Sequence, residues 1–110
     1  MPARSVNHVV NQLVLTACIA ELDALRYTPA GLPALNMRLE HESDIQEAGQ
    51  TRQVKAAVKA VAFGATAERL VSQAIGSTWK FNGFLATPRN GKHVVFHIQE
   101  FQQFSEFVKI

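Results

Sequence analysis

At 110 residues, 47% of them hydrophobic, the chain has room for one small domain with one core, and it is too apolar to stay disordered. The formal net charge of +2, from 11 Lys and Arg against 9 Asp and Glu, is a weak pull toward a polyanion that a dimer doubles. A lone Cys18 excludes an internal disulfide and fits a reducing compartment; set in an apolar run, it reads as a buried, inert thiol.

Met1–Val6 is a lead-in, and Met1–Asn11 has no apolar segment of the kind a secretory signal needs. No run of about 18 apolar residues occurs, so no membrane span is expected and the default compartment is the cytoplasm. Gln12–Glu21 carries β-branched residues without a breaker and reads as a strand. Asp23–Pro33 is a loop, because Pro29, Gly31 and Pro33 leave no room for a helix. In Ala34–Ser43, Leu35, Met37 and Leu39 alternate with Asn36, Arg38 and Glu40, the period of a half-buried strand. Asp44–Thr51, polar around Gly49, reads as a surface loop.

Gln53–Phe63 fits two periods. Val54, Val58, Val61 and Ala62 fall at helical spacing, and Ala and Lys favour helix, yet Val54, Ala56 and Val58 also alternate as in a strand. Gly64–Ile75 is helical, with Ala67, Leu70, Val71 and Ala74 on one face and Gly76 as the stop. Ser77–Thr87 is a strand with a bulge expected at Gly83. Pro88–Gly91 is a turn in which Asn90-Gly91 signals a hairpin, and Lys92–Phe104 is the last strand. The order predicts an all-β, five-stranded barrel of OB type, one domain over residues 1–110 with its core at about 12–104, and one short helix between strands 3 and 4.

Two blocks, TPAGLPALNMRLEHES and VAFGATAERLVSQAIGSTWKFNGFL, resemble the bacterial single-stranded DNA-binding protein superfamily. Phe63-Gly64, Ala67-Glu68, Gly76-Ser77 and Gly83-Phe84-Leu85 stand in that superfamily's order. Thr28–Pro33 together with Leu39–Ser43, Gln46–Gly49 and Arg52-Gln53 is most similar to the family of primosomal replication protein N. The resemblance implies a homodimeric OB fold that binds single-stranded DNA in replication restart. It further implies a restart helicase and a helicase-loader recruiting protein as partners, and it places Gln53–Phe63 in strand three.

Gripping single strands takes cations along the phosphates and flat rings against bases. The candidate cations are Arg26 in the first loop, Arg38 on strand two, Lys55 and Lys59 on strand three, Lys80 on strand four, and Arg89, Lys92 and His93 near the last hairpin. Tyr27 and Phe84 are the candidate stacking rings. Two positions depart from the family pattern: Lys55 replaces a Trp, and Glu42 replaces a basic residue. The expectation is weaker, more salt-sensitive DNA binding, or a groove shifted toward the last hairpin. A second class of function, a protein-interaction adaptor on an OB scaffold, stays open on the same two positions.

No catalysis is expected. Cys18 has no partner in sequence, and Glu40 and Glu42 suit ion pairs with Arg38 or Lys59. No cofactor is called for, and His93 with His97 on one strand face lacks a third metal ligand. Phe96, Phe101, Phe104 and Phe107 are many rings for one segment, and some are expected at a subunit interface.

Overall fold

Alternating apolar residues build the strands. The computed structural model describes residues 9–104. In chain order they form β1 (Leu13–Leu22), β2 (Arg26–Tyr27), β3 (Pro33–Glu47), β4 (Gln50–Phe63), α1 (Ala65–Leu70), β5 (Thr78–Ala86) and β6 (Val95–Gln103). The five long strands run β1-β5-β6-β4-β3 around the sheet, and antiparallel pairing of β1 with β3 closes it into a barrel. β2 is a two-residue addition on β3, and β4 pairs with β6 in parallel.

The inward side chains of every long strand meet in one core. Ile19, Leu35, Leu39, Phe81 and Phe96 are fully buried there, and α1 contributes Leu70. Each such side chain contributes about 1.5–3 kcal/mol by leaving water. Phe96 and Phe101 are therefore core residues, so of the four rings of this segment these two are not available to an interface. Phe104 is partly exposed, and Phe107 lies outside the described residues.

β4 settles the ambiguous segment. Its backbone pairs with β3 from Gln50 to Phe63 and with β6 from Ala60 to Ala62, and these ladders override the local helical preference of its Ala and Lys residues. The helix is shorter than expected. Ser72 and Gln73 bond back to the Arg69 carbonyl, and Gly76 at φ 91° turns the chain onto β1 through hydrogen bonds with Ile19.

Two turns differ from the expectation. The segment taken as a loop is a continuous β3–β4 hairpin, turned by Ala48-Gly49 alone, both at positive φ (52° and 79°). Asn90-Gly91 does not form a tight hairpin: β5 and β6 are joined by residues 87–94, in which Gly91 N–H donates to the Pro88 carbonyl at 2.9 Å. β6 begins at Val95, so His93 lies in that loop and not on the strand face of His97. The bulge falls where expected, between Asn82 and Gly83, and the Gly83 backbone approaches the His97 carbonyl so closely that a Cβ would collide with it.

Candidate nucleic-acid interface

Strand period puts Asn36, Arg38, Glu40 and Glu42 of β3 on the outside of the barrel beside Lys55, Ala57 and Lys59 of β4. Two of the three cations of this face, Arg38 and Lys55, are matched by carboxylates. The Arg38 guanidinium donates to Glu40 at 2.6 Å and to Glu21 at 3.0 Å. The Glu21 hydrogen bond, followed by that of Glu40, raises the Arg38 pKa, so this cation already has two internal carboxylate partners. Lys55 Nζ is 3.6 Å from Glu42, whose carboxylate also accepts from Gln53 at 3.4 Å. At the hairpin tip Arg52 pairs with Glu47. Lys59 makes no ion pair among the described residues, although Arg38 is its cross-strand neighbour.

Arg26 lies on β2 and donates to Asn36 Oδ1 at 2.9 Å, and Tyr27 beside it is 63% exposed. Lys80 is on the far side of the barrel, between Thr16 of β1 and Gln102 of β6. Arg89, Lys92 and His93 are exposed in the β5–β6 loop, which contains no carboxylate. The structure thus brings Arg38, Lys55 and Lys59 together on one face, keeps the loop cations in a separate group and leaves Lys80 apart from both.

Phe84 faces outward, but one face of its ring is taken. His97 stacks on it at 4.8 Å between centroids, with 16° between the planes. Phe63 stacks on the same imidazole at 5.9 Å. His97 carried no signal of this role in the sequence, because the contact joins three strands distant along the chain.

A second feature is an open edge. β1 pairs with β5 over Leu13–Cys18 but with β3 only over Cys18–Leu22, so the β3 side of Leu13–Ala17 has no strand beside it among the described residues. The diverging hairpin leaves a cleft of about 1300 Å³, lined in part by Val14, Cys18, His41, Ala56 and Phe104. Cys18 is half-buried here and not fully enclosed. His41 spans the cleft: Nδ1–H donates to the Thr16 carbonyl at 2.6 Å, and Nε2 lies 2.7 Å from the Ser43 hydroxyl. The carbonyl can only accept, which fixes the proton on Nδ1.

A family model described as another single-strand binding protein family matches residues 11–100. Replication restart protein PriB of Bordetella pertussis is 42% identical over 92 residues, which cover 83% of this chain and 86% of the relative. The chain belongs to the PriB family of single-strand binding proteins. PriB of Nitrosomonas europaea is 35% identical over 100 residues, covering 90% of this chain and 91% of that one. The solved structure of PriB from Ralstonia solanacearum matches with a TM-score of 0.81 at 36% identity, over 88% of this chain and all (100%) of that chain. The single-stranded DNA binding protein of Thermus aquaticus, at 22% identity and a TM-score of 0.70 over 88% of this chain and 51% of its own, shares the fold. In this PriB-family chain the family's OB barrel therefore carries a largely charge-paired β3–β4 face and a loop whose cations make no ion pair among the described residues.

Among the described residues no helix is long and apolar enough to cross a membrane, and no group of three metal-ligating side chains comes together.

Proposed function

We propose that this protein is a non-enzymatic, single-stranded DNA-binding accessory protein of the replication-restart primosome, and that it grips DNA mainly with the β5–β6 loop. One observation carries the location. Arg38 and Lys55 are held by Glu21, Glu40 and Glu42, whereas Arg89 and Lys92 sit in a loop without an acid. Phosphates approaching the β3–β4 face must displace internal carboxylates; phosphates approaching the loop displace only counterions. Lys59, within β4 at the level where β6 begins, extends this cation group; His93 lies in the same loop, and Arg26 and Lys80 are separate cations that add to the field around it. Tyr27, the most exposed ring near the first loop, supplies a stacking face.

The family names of the relatives support the restart role, and the resemblance supplies the restart helicase and the helicase-loader recruiting protein as partners. The open edge of β1 and the apolar walls of the cleft support a homodimer in which a second copy pairs its strand there.

The experiment is oligo(dT) binding followed against salt. Affinity that falls steeply, with a log–log slope equivalent to several released counterions, supports the reading. Absence of binding at low salt would overturn it. The charge-paired face then favours the second reading, an OB-fold adaptor between proteins.

A further inference from the structure

β4, β6 and β5 lie side by side, and their registers align Val61, His97 and Phe84 in one outward row. His97, on the central strand, touches a phenyl ring on each side: Phe84 at 4.8 Å and Phe63 at 5.9 Å. The interplanar angles with the imidazole, 16° for Phe84 and 30° for Phe63, make a column of three rings in which His97 is stacked against both. The column covers Val61, which is only 5% exposed although it points outward, and Phe63 at its end is 37% exposed.

Cations flank the column. Ala34 of β3 and then Arg26 of β2 lie across from Phe63, one outward position along from that row. Lys59, the next outward residue of β4 after Val61, leads toward the loop of Arg89 and Lys92. The nearest outward acid on β6 is Glu100, across the bulge beside Asn82, so a polyanion is directed to the Lys59 side. Central strand β6 is opposite the gap between β1 and β3, so a second copy on the open edge leaves the column uncovered.

We propose that Phe63, His97 and Phe84 form a stacking platform for unpaired nucleobases, with His97 as the central ring that holds both phenyl rings in line while the phosphates pass over Lys59 and the β5–β6 loop. This rests on the single-strand-binding reading and adds to it the site of base contact. Stacking on the faces of phenyl rings suits any base, as sequence-tolerant binding needs. Burial also lowers the His97 pKa, which keeps the imidazole neutral and able to pack flat. The competing account is that the rings only roof Val61.

The test compares oligo(dT) with an oligomer of equal length made of abasic sites, which keeps the phosphates and loses the bases. His97→Ala should weaken oligo(dT) binding by about five-fold or more, leave the abasic oligomer unchanged, and preserve the salt slope. His97→Phe should restore oligo(dT) binding. Photocrosslinking of the unaltered protein to oligo(dT) carrying 5-iododeoxyuridine should map to Phe63, Phe84 or His97, which keeps the proposal testable if the Ala variant misfolds. Equal losses on both oligomers, or crosslinks confined to residues outside the column, overturn the platform alone. A parent protein that binds neither oligomer at low salt overturns single-strand binding and the platform together.

Discussion

The Lys55 ammonium stands 3.6 Å from the Glu42 carboxylate across the β3–β4 hairpin, so the two positions at which this chain departs from its family's pattern are paired with each other. The pair is exposed, with both side chains more than half accessible, and contributes little to stability. Its consequence is electrostatic: it cancels a cation on the face that would meet phosphate. Glu42→Gln should free Lys55, raise oligo(dT) affinity about two- to five-fold at low salt and steepen the salt slope by about one charge. Unchanged affinity and slope would show that Lys55 lies off the DNA path. The melting temperature should barely move.

Charge reversal separates the two cation groups. Arg89→Glu with Lys92→Glu should cut oligo(dT) affinity by about ten-fold or more, because each site exchanges an attraction to phosphate for a repulsion. Arg52→Glu with Lys55→Glu changes the net charge by the same amount on residues already in ion pairs. It should cost clearly less. Equal losses, measured by fluorescence anisotropy at one salt concentration, would return the grip to the β3–β4 hairpin.

The hairpin turn stores local strain. Ala48 holds φ at 52°, a region that costs a residue with a Cβ about 1–2 kcal/mol and that Asn tolerates better. Ala48→Asn should stabilise the protein by about 0.5–1 kcal/mol, read as a higher urea midpoint with an unchanged slope. Gly49→Ala, at φ 79°, should lower the stability by about 1 kcal/mol or more, read as a lower midpoint.

His97 links stability to pH. Burial holds its folded-state pKa below the ordinary value of 6.5, so well above pH 6.5 the ring is neutral in both folded and unfolded chains and makes no pH-dependent contribution. Below pH 6.5 the unfolded chain takes up a proton that the folded chain resists, and stability falls until the folded pKa is reached. Thermal melts should therefore drop on going from about pH 7.5 to about pH 5 less steeply in His97→Phe than in the parent. Identical slopes would mean that the ring stays well solvated in its stack.

The short-range pattern in the chain carried much of the architecture. Alternation in Ala34–Ser43 put Leu35, Met37 and Leu39 inside, and Gly83 marked a bulge because only a residue without Cβ fits against the His97 carbonyl. Turn chemistry misled where it was strongest. Asn90-Gly91 sits in an eight-residue loop, while Ala48-Gly49, a weaker signal, makes the tight turn, since the long β3–β4 ladder supplies enough pairing to hold Ala48 in a strained conformation. The candidate site was half legible. Arg89 and Lys92 could be named from the sequence as cations near a hairpin, but a cation's availability depends on what lies across the strand from it.

The sequence by itself determined the barrel class and the family, and it named candidate site residues, because alternation, breakers and ordered short motifs are local properties of the chain. Only the tertiary structure decided which charges cancel and which rings meet. Lys55 faces Glu42, Arg38 faces Glu21, and His97 enters between Phe63 and Phe84 through strand registers that span tens of residues. Stacking is lost within a few ångströms and screened charge pairing over about 10 Å, and no spacing along the chain encodes those distances.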